Sequence, residues 1–144
     1  MIRKANGQDA PVLGELASML WPRHTADEMA EEFAVLLENR EAACFLAYEE
    51  NQPVAFAQCQ LRHDYVEGTE NSPVGYMEGI YVMDAYRKRG IAKELLSACE
   101  EWAKNMGCRE FASDCELDND KSLQFHLRAG FEEANRIICF VKRI

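Results

Sequence analysis

The sequence predicts a mixed α/β (α+β) fold, a sheet crossed by helices, in one domain spanning residues 1–144. Three features predict it. The length suits one domain with a sizeable core. Hydrophobic content of 48% and charged content of 28% are ordinary for a globular chain, which excludes disorder as the main state. Helical and strand-like segments alternate in the order β, α, α, β, β, β, α, β, α, β, without a linker, repeat or low-complexity tract.

Each element has its own reason. Ile2–Lys4 reads as a short first strand. Asp9 is an N-cap candidate with Pro11 in the first turn, and Val12, Leu13, Leu16, Ala17 and Leu20 then recur at helical spacing. Trp21-Pro22 ends that helix, because a residue before proline disfavours helical angles. Thr25-Ala26-Asp27-Glu28 matches a capping box, and Met29, Phe33, Leu36 and Leu37 form one apolar face. Cys44–Glu49 and Val54–Arg62 read as strands around a turn at Asn51-Gln52-Pro53. Tyr65–Val74 reads as a polar loop and Tyr76–Met83 as a third strong strand. A long helix follows, with Ile91, Leu95, Leu96, Cys99, Trp102, Ala103 and Met106 on one face and Gly107 at its C-terminal stop. Glu110–Asp114 is a short strand. Asp118 or Asn119 caps a helix that Ala129-Gly130-Phe131 stops. Arg136–Arg143, apolar on both faces, is a last strand suited to burial or an interface.

Charge divides along the chain. The net charge is −9, but residues 5–86 carry fifteen acids against three bases, and residues 87–93 carry four bases and no acid. A nucleic-acid partner needs a broad basic face, which this pattern lacks. It suits a cationic ligand over most of the surface and an anionic one near residues 87–93. The six cysteines show no CxxC and no zinc-like spacing with histidine, so no metal is expected, and they read as free thiols packed in a reducing compartment. The N-terminus lacks the apolar core of a signal peptide, and no apolar run reaches the length of a membrane span. The expectation is a cytoplasmic protein with no membrane partner.

The most specific feature is the segment Tyr76–Ala92: a strand, then Arg87-Lys88-Arg89-Gly90-Ile91-Ala92, then a helix. A glycine permits close approach of backbone to ligand, and the free N–H groups and dipole of a helix start favour an anion. A solvated basic helix start would also carry such a tripeptide; the strand before and the amphipathic helix after favour a phosphate or pyrophosphate site.

R-x-x-G-x-A after a strand resembles the acyl-CoA pyrophosphate loop of the Gcn5-related N-acetyltransferases (GNAT). Asn119, with His126-Leu127-Arg128-Ala129-Gly130-Phe131, resembles that family's second CoA region. The resemblance implies the GNAT acyl-CoA N-acyltransferase fold, with a central mixed sheet of about six to seven strands flanked by about four helices, and acetyl-CoA as acetyl donor. A narrower resemblance, to the aminoglycoside 6′-N-acetyltransferases, lies in Trp21-Pro22, Arg62–Gly68, Ser72-Pro73-Val74, Glu78–Val82 and Phe111–Asp114. It implies that Trp21, Tyr65, Glu78 and Asp114 contact the drug. It also implies that Ile80, Tyr81 and Val82 face acetyl-CoA from the strand, that Arg87, Lys88, Arg89, Gly90, Ile91, Ala92 and Asn119 hold it, and that the protein is a homodimer. Asn135 stands where relatives often carry an acid, a departure at one substrate contact.

The chemistry asks for particular groups. A primary amine is protonated at neutral pH, so a carboxylate must bind the ammonium and help remove its proton. Glu78 and Asp114 are the candidates. By alternation alone Glu78 could equally be an outward carboxylate on an edge strand, and Asp114 a turn or helix cap; the resemblance favours function. Backbone N–H groups of Ile80–Val82 suit the thioester oxygen if the strand is splayed there. His126 by itself reads as a packing or surface histidine. It occupies the place of a tyrosine that protonates CoA in many relatives, and imidazole can do that work. Trp21 and Tyr65 fit either core packing or a cleft wall. An acetyl-cysteine route through Cys115 would need a base, and none adjoins it in sequence, so direct attack in a ternary complex is favoured. Two other functions fit less well: an acetyltransferase for polyamines or protein amines, and a non-catalytic acyl-CoA-binding regulator.

Overall fold

A computed structural model describes residues 1–144. Nine regular elements follow one another: β1 (Ile2–Lys4), α1 (Ala10–Leu20), α2 (Ala26–Leu36), β2 (Ala42–Glu49), β3 (Gln52–Arg62), β4 (Val74–Val82), α3 (Ile91–Asn105), β5 (Phe111–Ala112) and α4 (Asp120–Arg128). The strands form one five-stranded sheet in sequence order. Its first three pairings are antiparallel and β4·β5 is parallel.

The sheet separates two cores. On one face α1 and α2 bury Leu13, Leu16, Ala17, Met29 and Phe33 against Cys44, Leu46 and Phe56. On the other, α3 buries Ile91, Leu95, Cys99, Trp102 and Ala103 against Phe45, Val54, Cys59 and Val82. Phe56, Leu13 and Leu95 are wholly buried, and each such side chain contributes about 1.5–3 kcal/mol. Cys44, Cys59, Cys99 and Cys108 are also buried, as small hydrophobes; Cys115 and Cys139 are exposed.

Local chemistry sets the element ends. Thr25 accepts from the Glu28 N–H, the expected cap of α2. Asp9 precedes α1, yet its carboxylate turns back to the Asn6 N–H and to the Arg3 guanidinium at 2.7 and 2.8 Å. That ion pair holds the carboxyl of Asp9 below the usual range and ties β1 to the first helix. The β2–β3 turn falls at Glu50-Asn51, both at positive φ, and Pro53 lies inside β3 at a register shift, where its missing N–H is tolerated. Helix α4 ends as expected: the Phe131 N–H reaches His126 O, the Gly130 N–H reaches Leu127 O, and Gly130 takes φ +97°.

The expected sixth strand is absent. Arg136–Arg143 has no strand partner within the chain, so the sheet has five strands rather than six or seven. The segment has the apolar pattern of a strand, but Ile138, Phe140 and Val141 lie 80%, 90% and 81% exposed. It leaves α4 past Ala134, which packs over Gly68, and meets no free strand edge of its own chain. No helix is long and apolar enough to cross a membrane.

Helices α1 and α2 pack closely at Gly14, where an added Cβ would stand 2.5 Å from Ala26 O and 2.8 Å from Ala30 N. Both obstacles are backbone. Gly14→Ala should therefore cost about 1–3 kcal/mol of stability despite its better helix propensity. Urea unfolding followed by circular dichroism checks this; unchanged stability would show that the two helices part at no cost.

Candidate active site

Strand β4 creates the site by its unequal edges. It pairs with β3 along its length but with β5 only at Gly75↔Phe111 and Tyr76↔Ala112. Beyond Tyr76 its β5-facing edge is open. The Met83 N–H returns to Val54 O on β3, so by alternation the N–H groups of Ile80 and Val82 point into the opening. The register against β3 shifts between Gln58↔Gly79 and Cys59↔Met77, leaving Glu78 as the extra residue of a bulge. Beyond the two β4·β5 pairs the edge at Ile80–Val82 is unpaired, with the bulge just before it.

The basic loop lies at the far end of β4. Arg87 folds back onto its own segment: its Nε donates to Val82 O at 2.8 Å and its Nη1 pairs with Asp84 at 2.8 Å. Lys88 and Gly90 take φ +63° and +84°. None of the N–H groups of residues 88–93 donates to a backbone oxygen, so a run of donors faces outward beside Lys88, Arg89 and Lys93. Asn119 caps α4, its Oδ1 accepting from the Ser122 N–H.

On the α1/α2 face four side chains form one chain of contacts. Arg62, the last residue of β3, donates from Nε and Nη2 to the two oxygens of Glu78 at 3.0 and 2.8 Å. Its guanidinium carbon sits 3.4 Å from the centre of the Tyr76 ring. The Tyr76 hydroxyl donates to Asp114. Burial and the Asp114 carboxylate push the Tyr76 hydroxyl above the ordinary phenol range, so it stays a donor at neutral pH. Trp21 stands beside this group with its indole over Gly79, where a Cβ would lie 2.6 Å from Cη2. Only glycine lets the ring approach β4 so closely.

The other expected residues are placed differently. His126 lies on the opposite side of β5 from Asp114, 2.8 Å from Ser113 Oγ through Nε2 and 2.7 Å from Ser122 O through Nδ1. A carbonyl only accepts, so neutral His126 carries its proton on Nδ1 and accepts from Ser113 with Nε2. Tyr65 is 74% exposed on the 63–73 loop. Asn135 Nδ2 donates to Glu67 on the same loop at 3.2 Å and touches neither Glu78 nor Asp114. Sequence reasoning missed Arg62, Tyr76 and Ser113 as site residues. The available signal was Arg62 itself, one of three bases among fifteen acids and the one charged residue of its strand.

A sheet that opens between two parallel strands, with a basic glycine loop and helix start at one end and paired carboxylates at the other, defines an acyl-CoA-dependent N-acyltransferase fold. The Acetyltransferase (GNAT) family matches residues 13–131, and the chain belongs to that family. It is 41% identical over 128 residues to an aminoglycoside N(6′)-acetyltransferase type 1 of Salmonella typhimurium, covering 89% of this chain and 88% of that protein. It is 42% identical over 130 residues to that of Acinetobacter haemolyticus, covering 90% and 89%. Among solved structures it resembles AAC(6′)-Iy in complex with the bisubstrate analogue CoA-S-monomethyl-acetylneamine, with TM-score 0.95, 38% identity, and 100% and 98% of the two chains covered. It also resembles AAC(6′)-Iy in complex with CoA, with TM-score 0.96, 38% identity and 100% and 95% covered.

The 63–73 loop is fastened by Glu110, whose carboxylate accepts from the backbone N–H groups of Glu70 and Asn71 and from Asn71 Nδ2 at 2.7–2.9 Å. These donors lower the Glu110 pKa, the Asn71 side chain first. A lowered carboxylate pKa means the fastening holds above the ordinary range and is lost as pH falls through the native value. Hydrogen-exchange protection at Glu70 and Asn71 should drop on acidification and in Glu110→Ala at neutral pH. Unchanged protection in that variant would show that the loop holds itself.

Proposed function

We infer that this chain transfers the acetyl group of acetyl-CoA to the 6′-amino group of aminoglycosides, and so confers resistance to them. The observation that carries this is the whole-chain likeness to AAC(6′)-Iy, whose complex holds CoA and an acetylneamine joined in one ligand. The residues here supply the needed chemistry within one domain of residues 1–144. Glu78 and Asp114 bind the ammonium, and one of them takes a proton from it, directly or through water. Trp21 and Tyr65 wall the sugar, and Asn135 borders the same loop. The neutral amine attacks the thioester carbonyl, and the N–H groups of Ile80 and Val82 receive the developing oxyanion. The C–S bond breaks as the tetrahedral nitrogen sheds its second proton to water; His126, as the imidazolium, donates from Nε2 to Ser113 Oγ while the Ser113 hydroxyl proton passes to the CoA thiolate, which leaves His126 neutral with its proton on Nδ1. The outward N–H groups of residues 88–92, with Lys88 and Arg89, hold the pyrophosphate; Arg87 supports them by fixing the loop to β4. Tyr81 lines the strand and Asn119 the helix start beside the pantetheine. Four buried thiols and the need for acetyl-CoA fit a cytoplasmic protein.

A homodimer is the second part of this reading. An apolar tail with three side chains at least 80% exposed is an unfinished surface, and β5, a two-residue strand, offers an edge. A second copy presents the same tail and edge, so reciprocal pairing of Arg136–Arg143 covers both.

Thiol release from acetyl-CoA tests the activity. Turnover is expected with kanamycin and tobramycin, and turnover only with spermidine or a lysine peptide would replace the drug by another amine. Glu78→Gln and Asp114→Asn should each lower kcat/KM for the drug by roughly 10²–10⁴-fold if the altered carboxylate is the base, and less if it only binds the ammonium. Their KM for acetyl-CoA should stay unchanged. Removal of residues 136–144 should turn a dimeric mass by light scattering into a monomeric one; a full-length monomer would refute the pairing.

A further inference from the structure

We propose that Arg62 is a positioning residue for acetyl transfer: it seats Glu78 in one orientation and, through its stack on Tyr76, couples that carboxylate to the hydroxyl that holds Asp114. The proposal rests on the reading that Glu78 and Asp114 bind the amine.

The geometry separates this role from that of a substrate ligand. Arg62 is a cation, and so is the incoming ammonium, so it repels the amine and can assist it only through another group. Its fork takes both oxygens of Glu78, one bond to each. Each oxygen keeps a second acceptor site, so the carboxylate is fixed in its plane and still able to accept from an ammonium. Glu78 needs such a tether. It is the extra residue of the β4 bulge, where the ladder hydrogen bonds that would orient it are interrupted. Its side chain is only 19% exposed, so solvent does little to hold it.

The stack extends the effect to the second carboxylate. The guanidinium lies face-on to Tyr76 at 3.4 Å, and the same ring's hydroxyl donates to Asp114. Along this row the charges run negative, positive, negative. The single cation lies between the two carboxylates and offsets part of their mutual repulsion. A lysine could offer the charge but not the planar fork or the stack.

The experiment compares Arg62→Ala, Arg62→Lys, Glu78→Gln and the double variant Arg62→Ala/Glu78→Gln, with thiol release from acetyl-CoA on kanamycin. Arg62→Ala should lose roughly 10- to 100-fold in kcat, as a misplaced reacting group does. Its KM for acetyl-CoA should not move. Guanidinium ion should restore part of the loss, and sodium chloride at equal ionic strength should not. The double variant should lose clearly less than the product of the two single losses, because Arg62 acts largely through Glu78 and only in part through Tyr76. If Arg62→Ala does not fold, Arg62→Lys decides, and full activity in it overturns the proposal. Wild-type kcat in Arg62→Ala, or additive losses in the double variant, also overturns it. Glu78→Gln with normal turnover would instead remove the amine-site reading beneath it.

Discussion

Everything in this site depends on the two-residue pairing between β4 and β5. Pairing that continued to Val82 would consume the N–H groups of Ile80 and Val82 and close the sheet. Pairing that never began would leave Asp114 without its place beside Tyr76. Two parallel pairs suffice to fix the angle at which the strands part. The bulge at Glu78 lies next to the parting, and a bulge both bends a strand and raises its twist. The opening is thus a property of backbone hydrogen bonding, and side chains are then mounted on its two sides.

Those sides divide by chemistry. On the α1/α2 face lie Trp21, Arg62, Tyr76, Glu78 and Asp114; on the other side of β5 lie Ser113 and His126. An amine can enter from the first side and a thiolate receive its proton on the second, without one site having to bind both charges. The basic loop continues the same logic. Arg87 spends its charge on Val82 O and Asp84, and thereby leaves the neighbouring N–H groups facing outward. Arg87 thus braces the loop against the end of β4.

The chain's uneven charge gains a spatial meaning from this. Residues 5–86 hold the acids of the loop beside the amine face, Asp64, Glu67 and Glu70 among them, and these are exposed. They supply a long-range field that attracts a polycation and weakens with salt. Glu78 is different in kind. It is half-buried and already paired, so it contributes position more than field.

The sequence by itself determined the helices, most of their ends, the main strands and the basic glycine loop before α3. These depend on contacts a few residues apart: helical spacing in Ile91–Met106, a left-handed glycine at Gly130, and a glycine between bases at Gly90. It also marked Trp21, Glu78 and Asp114, through their resemblance to a family's motifs. Only the tertiary structure decided that Arg62 meets Glu78 sixteen residues away and that Tyr76 meets Asp114 thirty-eight residues away. Such meetings follow from strand register, and one bulge changes which residues share a face. The same limit explains the tail. Its apolar pattern is strand-like in sequence, but a strand exists only where another strand supplies its hydrogen bonds, and within this chain Arg136–Arg143 finds none.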